Sequence, residues 1–545
     1  MYIEAKRQMK KLFFWAAATA LSVAVASCIG GIFAPTPKSI IVNAAGIELE
    51  TGGSATIGFT VQDKGYRFIS DISSNDCQIH LWHSDFGEST EFRLTEVRFE
   101  GDGHYVATVQ DLGGDYAYSE QCRLSIQIGG MQTGKPEYIH SQYFTVKSDK
   151  PAPELLTGLP IVYINTRDYR DITSKVDDKE ATIYVNGMGK FADLEESACT
   201  VRGRGNTTWK WSKKPYLVKM ESKTSFFGMP KHKRWVLLAN FMDKTLMRNM
   251  VAYKASMLTS LDWTPHFQNV ELVLNGKHRG TYMLIEQVRV DKNRVNISEE
   301  GGYLLESDFH FDNELQWTVP YGQSLNWSDQ MPFAIKFPDV DDITVEQEQW
   351  IKDYIDSAMK ALYGPDFKDP EKGWRAYMDE KSYIDYWLVY ELLNNMELGN
   401  PGSVYTHKDK DGLLVAGPVW DFDWGSLSFY RYPKAKDEIV LTNSIWYKRL
   451  LQDEQFCQAL VARWRELKPS FETLLPYIDG QKAVLARSAR INFGMWDPSE
   501  DAGSNYGDII NGDEKMSFDD AVALLRESLK RRIEVIDSNI GALAK

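Results

Sequence analysis

The hydrophobic period of this chain lengthens once, and that shift constrains the fold more than any other feature. Up to Glu306 the apolar residues come in short runs rich in Val, Ile, Tyr and Phe, many alternating with polar neighbours. From Thr344 onward they recur at helical spacing, over 344–362, 382–395, 444–465 and 517–542. Alternation at every second position buries one face of a strand, whereas a 3.6-residue period buries one stripe of a helix. Strands first and helices later predict an α+β domain.

At 545 residues the chain exceeds one ordinary core, so two or three domains are expected. Residues 38–150 predict an all-β module. Runs at 39–42, 55–61, 78–82, 105–109, 123–128 and 143–146 are punctuated by Gly, Asp and Asn at sandwich-like spacing. An immunoglobulin-like sandwich is the expected fold, and its expected role is that of a spacer. Pro151-Ala152-Pro153 reads as the boundary to a second domain over 151–545. That domain opens with strands at 159–164, 181–185, 216–220, 270–274, 280–285 and 303–306, with Asn186-Gly187 as a hairpin signal.

The N-terminus carries an address. Lys6, Arg7, Lys10 and Lys11 precede an apolar stretch over 12–26, followed by Ser27-Cys28. Basic residues, a short apolar segment and small residues predict an export signal over 1–28, shorter than the ~20 apolar residues of a spanning helix. Val25-Ala26-Ser27-Cys28 has the form of a bacterial lipobox, with Cys28 as the lipidated residue and 29–37 as a tether. The expected location is the bacterial cell envelope, periplasmic or at the surface, with the membrane as a partner through the lipid. A plain secretory signal with an incidental Cys28 is the alternative. Cys77, Cys122, Cys199 and Cys457 show no paired metal-ligand spacing, which argues against structural zinc. An oxidising compartment permits a Cys77–Cys122 bridge, but sequence does not fix the Cβ proximity it requires. The net charge of -14 argues against a general nucleic-acid binder.

Chemistry concentrates in a few segments. Arg202-Gly203-Arg204-Gly205-Asn206 offers two guanidinium forks and two glycines for close approach to an anion, without P-loop spacing. Lys219 interrupts an apolar strand, so it either reaches water or points into a polar cleft. Asp243 precedes a helix as its cap, with Arg248 either exposed on that helix or functional. Glu286 and Glu306 each end a buried-looking strand, where a carboxylate requires a partner. Asp421 and Asp423, at i and i+2 after an apolar strand and walled by Trp420, Phe422 and Trp424, suit a hard cation bound through oxygen.

Together, Arg202-Gly203-Arg204-Gly205-Asn206, Lys219, Asp243 with Arg248, Glu286, Asn395-Met396-Glu397, residues 403–408 and Gly417-Pro418-Val419-Trp420-Asp421-Phe422-Asp423 resemble the CotH family, the spore-coat H-type kinases. The resemblance implies an atypical protein-kinase-like fold for 151–545 and phosphoryl transfer from ATP, with Mg²⁺, to an extracytoplasmic protein. It implies Asp421 as metal ligand with Asp423 beside it, Lys219 and Glu286 near the nucleotide, and Arg202 and Arg204 steering phosphate. Glu397 stands where the family usually carries an aspartate as candidate base, and the loop after it lacks a clear asparagine at the second-metal position, for which Asn400 or Ser403 would have to substitute. The alternative is a non-catalytic envelope protein that keeps the fold and binds a glycan or protein ligand. A glycoside hydrolase fits less well, because Asp421 and Asp423 share one turn while a hydrolytic pair flanks its substrate about 5 Å or more apart.

Overall fold

The computed structural model describes residues 39–43, 46–50, 53–62, 77–83, 92–111, 119–128, 137–148, 157–310, 313–321, 330–399, 401–501 and 511–545. The expected export signal over 1–28 with Cys28, the tether, Pro151–Pro153 as a boundary, and Asn400 lie outside the described residues.

The first module comprises β1 (Ser39–Val42), β2 (Gly46–Leu49), β3 (Ser54–Gln62), β4 (Cys77–His83), β5 (Phe92–Gly101), β6 (His104–Asp111), β7 (Ser119–Ile128), β8 (Glu137–His140) and β9 (Phe144–Ser148). They form two sheets, β1-β3-β6-β5 and β2-β9-β7-β4, with β8 paired to β7. Ile57, Phe59, Tyr105 and Val109 from the first sheet share one core with Leu81, Leu124, Ile126 and Phe144 from the second. Each such buried side chain contributes about 1.5–3 kcal/mol. β5 escaped the sequence reading because Arg93, Glu96, Arg98 and Glu100 break its apolar pattern and most of it is exposed.

The register removes the Cys77–Cys122 bridge. Cys77 pairs with Ile128 and Cys122 pairs with His83, so the two cysteines sit at opposite ends of the β4/β7 ladder. Six positions at about 3.3 Å each put them roughly 20 Å apart, far beyond the reach of a disulfide.

The second unit is built on a closed barrel of β10 (Ile161–Thr166), β11 (Lys179–Asn186), β12 (Leu194–Gly203), β13 (Tyr216–Thr224), β14 (His232–Leu238), β15 (Phe267–Leu274) and β16 (Lys277–Glu286). Its order is β10-β11-β12-β13-β14-β16-β15, closed by parallel pairing of β10 with β15. Val162, Ile183, Val201, Val218, Trp235, Leu272 and Leu284 fill the interior. Their neighbours Leu217, Val236, Met283 and Ile285 face outward into the helical core. Strands buried on both faces read as continuous apolar runs, which is why β14 and β16 lack clean alternation.

Beside the barrel lies a sheet of β17 (Tyr303–Ser307), β18 (Gln316–Val319), β19 (Met331–Phe337), β20 (Val404–Lys408) and β21 (Leu414–Ala416), ordered β18-β19-β17-β20-β21. The longer helices are α1 (Arg248–Met257), α2 (Val345–Tyr363), α3 (Glu380–Leu392), α4 (Glu454–Glu472), α5 (Leu474–Met495) and α6 (Phe518–Asn539). Thr344 and Gln347 close a capping box on α2, while Asp379, Asp453 and Ser517 cap α3, α4 and α6. The Asp453 cap divides the single helix expected over 444–465, leaving the short helix Tyr447–Leu450 before it. α5 escaped the sequence reading because Pro476 and Gly480 interrupt its pattern. No helix among the described residues is long and apolar enough to cross a membrane.

A buried polar contact docks α5 on the barrel. Lys213 donates to Asn492 Oδ1 and Ala239 O, each at 2.8 Å, and to Thr281 O. Gly280 permits that approach: a Cβ there would meet Asn492 Oδ1 at 2.5 Å. Burial pushes the Lys213 ammonium down to about 7, opposed by the charge of Glu271.

Candidate active site

The turn Trp420–Asp423 follows β21 and is fixed from three sides. Trp420 and Phe422 are buried, while Asp421 and Asp423 remain half-buried. Asn249 on α1 accepts the Phe422 N–H at 2.8 Å, and Asn395 Nδ2 donates to Asp421 O at 3.2 Å. From the distant C-terminal segment, Asn511 donates to Asp423 O at 3.1 Å and to Met242 O at 3.0 Å, and accepts the Gly425 N–H at 2.8 Å. Phe422 packs on Tyr390 at 4.8 Å between ring centroids. Asp421 itself has φ 67, a left-handed conformation that strains a residue with a Cβ. Asn240, Asn394 and Ser403, on neighbouring segments, also have positive φ.

The aspartates belong to a larger carboxylate cluster. Burial raises Asp423 well above the ordinary range, helped by the charge of Asp421, a hydrogen bond between the two side chains, and Asp243. Burial likewise raises Glu397 well above its usual value, followed by the charges of Asp421, Asp308 and Asp423. Gly402 opposes this by donating its N–H to Glu397, and a Cβ at Gly402 would meet Glu397 Oε2 at 2.5 Å. Asn395 accepts the Glu397 N–H at 2.8 Å, setting the residue in its short turn. The cation facing the cluster is Arg204, whose guanidinium lies over Trp420 at 5.5 Å and acts on Tyr253 and Tyr405.

Behind the turn, Arg248 is fully buried. It bridges Asp243 at 2.5 Å and Asp513 at 2.7 Å and donates to Ser426 O at 2.8 Å. The exposed alternative for Arg248 is therefore overturned. Asp243 lies before the formal cap position, which Met247 occupies, yet its carboxylate accepts the Arg248 N–H at 2.8 Å. Glu306 finds its partner in Lys336 at 3.0 Å.

The structure thus brings together Arg204, Glu397, Asp421 and Asp423. Arg202, Lys219 and Glu286 fall elsewhere. Arg202 pairs with Asp178 at 3.3 Å. Lys219 lies on β13 between core residues Val218 and Met220 and so points outward, exposed. It is also three positions from Tyr216, the partner of Gly203, or about 10 Å along the strand. Glu286 is buried against His266 at 2.8 Å, with Arg294 at 3.8 Å. Ser403 is half-buried beside Gly402. Asp308, Asn249, Asn511 and Asp513 join the site without having been marked in the sequence. Asp308 follows β17 with no motif around it, Asn511 acts on Asp423 from 88 positions away, and Asp513 on Arg248 from 265.

Among the described residues, no three His, Cys, Asp or Glu side chains converge to hold a metal ion unaided. Asp421 and Asp423 nonetheless fit one hard cation shared with phosphate oxygens, since a divalent ion would relieve the repulsion that raises Asp423.

The raised carboxylates set a pH dependence. A carboxylate raised in the fold stabilises it below the ordinary range of about 4, and that contribution is lost as pH rises through the folded value. Thermal stability measured without divalent cation is expected to fall from pH 5 to pH 8. Glu397→Gln should flatten this slope, and an unchanged slope would remove Glu397 from the coupled cluster.

A family model described as CotH kinase protein matches residues 201–536. No curated protein matches the chain. Among solved structures, similarity is found to the ZirS C-terminal domain, at 13% identity over 23% of this chain and 88% of that one, with TM-score 0.14. Domains 4 and 5 of the S-layer protein SbsC match at 18% identity over 20% of this chain and 50% of that one, with TM-score 0.12. A marsupial T cell receptor matches at 11% identity over 31% of this chain and 100% of that one, with TM-score 0.15.

Proposed function

The chain belongs to the CotH kinase family, and from that premise we propose that it is an exported, lipid-anchored phosphotransferase with an atypical kinase-like catalytic domain, acting on extracytoplasmic protein. The observation that carries this reading is the grouping of Asp421, Asp423 and Glu397 at one turn, with Arg204 stacked over the adjoining Trp420. Phosphoryl transfer needs charge neutralisation and positioning more than covalent chemistry, and these groups are of the required kind. ATP with Mg²⁺ would supply the transferable phosphoryl group and the neutralising charge.

In this reading Asp421 and Asp423 would hold the cation through oxygen, and Arg204, stacked over Trp420, would meet phosphate. Glu397 would accept the proton of the acceptor hydroxyl as its oxygen attacks the terminal phosphorus of ATP, with ADP leaving on the electrons of the broken phosphoanhydride bond. Its raised affinity for protons, with burial as the first cause, suits that role. Arg202, Lys219 and Glu286 take no step here, because their partners lie elsewhere. Cys28 carries the lipid, and the first module, read as immunoglobulin-like, spaces the catalytic domain from the membrane.

Thermal unfolding with ATP and Mg²⁺ tests the reading. Wild type should shift upward with both present, and Asp421→Ala should lose the shift together with autophosphorylation. Equal behaviour of the two proteins would overturn it.

A further inference from the structure

Two residues that the proposed transfer leaves unused, Arg202 and Lys219, share one face of the barrel. Val201, Val218, Met220 and Trp235 fill the barrel interior, so their sequence neighbours Arg202, Lys219 and Arg234 point outward. Lys219 stands directly opposite Arg234 in the β13/β14 register. Arg202 stands opposite Leu217, one step along the same face of β13. Like charges directly opposite each other on a sheet are destabilising, so the fold bears a cost for this arrangement. Neighbouring carboxylates do not remove it. Asp178 pairs with Arg202 at 3.3 Å and Asp339 with Arg289 at 2.8 Å. Lys219, exposed, and Arg234, half-buried, have no ion pair or side-chain hydrogen bond among the described residues. Glu221, next outward on β13, lies on the side of Lys219 away from Arg202 and ends the basic strip there.

The other end of the strip opens on the candidate site. Arg204, two residues beyond Arg202, lies over Trp420 at 5.5 Å. From the Gly203–Tyr216 pair to Lys219 is three positions along β13, or about 10 Å, the span of three residues of extended chain. We propose that this face docks an extended acidic segment of the acceptor protein, with Asp or Glu side chains beginning about three residues from the hydroxyl that is phosphorylated. Cations spaced along a strand match carboxylates repeated along a chain better than they match one compact anion. On a chain of net charge -14 a basic strip is also selective, because the acidic remainder repels the segment that the strip attracts. The acceptor role rests on the phosphotransferase reading above, whereas docking itself does not.

The probe is a fluorescein-labelled peptide of one serine followed by a run of glutamates, compared with the same peptide carrying glutamines. Fluorescence anisotropy follows binding to the full wild-type chain and to the double variant Lys219→Gln/Arg234→Gln. Wild type should bind the glutamate peptide with an affinity that falls as salt rises, and the double variant should bind it on the order of 10-fold more weakly. With the repelling pair removed, the variant should unfold at the same or a higher temperature and keep the upward shift with ATP and Mg²⁺. Equal binding by the two proteins, equal binding of the two peptides, or no binding by wild type would overturn the docking face. Loss of the ATP shift in the double variant alone would overturn it too, by assigning these cations to the nucleotide. Charge-dependent peptide binding by a wild type that shows no ATP shift would uphold the docking face and remove the phosphotransferase reading.

Discussion

Replacing Arg248 with methionine is expected to cost about 3–5 kcal/mol of stability, the range for breaking a buried ion pair from one side. The side chains of Arg248, Asp243 and Asp513 are all fully buried, and the guanidinium supplies donors to both carboxylates and to the Ser426 carbonyl. Methionine fills much of the same volume but leaves two carboxylates facing each other without a cation. Lysine should restore little, because a single ammonium cannot reproduce the planar fork that reaches three acceptors. Denaturant unfolding of the two variants checks this, and a loss below about 1 kcal/mol for Arg248→Met would show that the triad adds little to the fold. Because Asp513 adjoins Gly512 and Asn511, the substitution should also loosen the Asp423 turn.

Glu397→Gln is expected to slow phosphoryl transfer about 10²–10⁴-fold while leaving nucleotide binding near wild type, the usual scale for loss of a general base. A geometric companion is Gly402→Ala. Its new methyl would stand 2.5 Å from Glu397 Oε2, so the carboxylate must move. A displacement of about 1 Å at a reacting group costs on the order of 10²-fold. Glu397→Asp combined with Gly402→Ala should recover part of that loss, since the shorter side chain no longer meets the methyl. Single-turnover rates with saturating ATP separate these effects from binding. Full activity in Glu397→Gln would remove Glu397 from the chemistry, and full activity in Gly402→Ala would show that Glu397 has room to spare.

The sequence was most legible where one local pattern decides one local structure. The change of period placed α2 within one residue at each end and the start of α6 within one, though α6 ends three residues before the expected position 542. The turn Trp420–Asp423 stood out because aromatic residues flank its carboxylates, and Arg204 because a guanidinium beside glycines suits an anion. Lys219 shows the limit. Its strand is buried on both faces over Tyr216–Val218, and only the structure tells that Lys219 falls where the outer face meets solvent. Lys213, two residues before Pro215, is a lysine that the fold buries completely, and no periodicity distinguishes it. Asp308, Asn511 and Asp513 were invisible for a different reason. Each matters through a contact with a segment far along the chain, and such contacts leave no trace in local spacing. The closed barrel was equally hidden, since its closure rests on the parallel register of β10 and β15.

That long reach also orders assembly in time. A chain growing from its N-terminus can close the barrel once Glu286 is present, because β16 then joins β14 to β15 and β15 pairs with β10. Asp423 still lacks its anchor, which arrives with Asn511, 88 positions later. Contacts so distant in sequence form late, since the loop between them must first be ordered. The turn that carries Asp423 is therefore fixed late in the order of assembly.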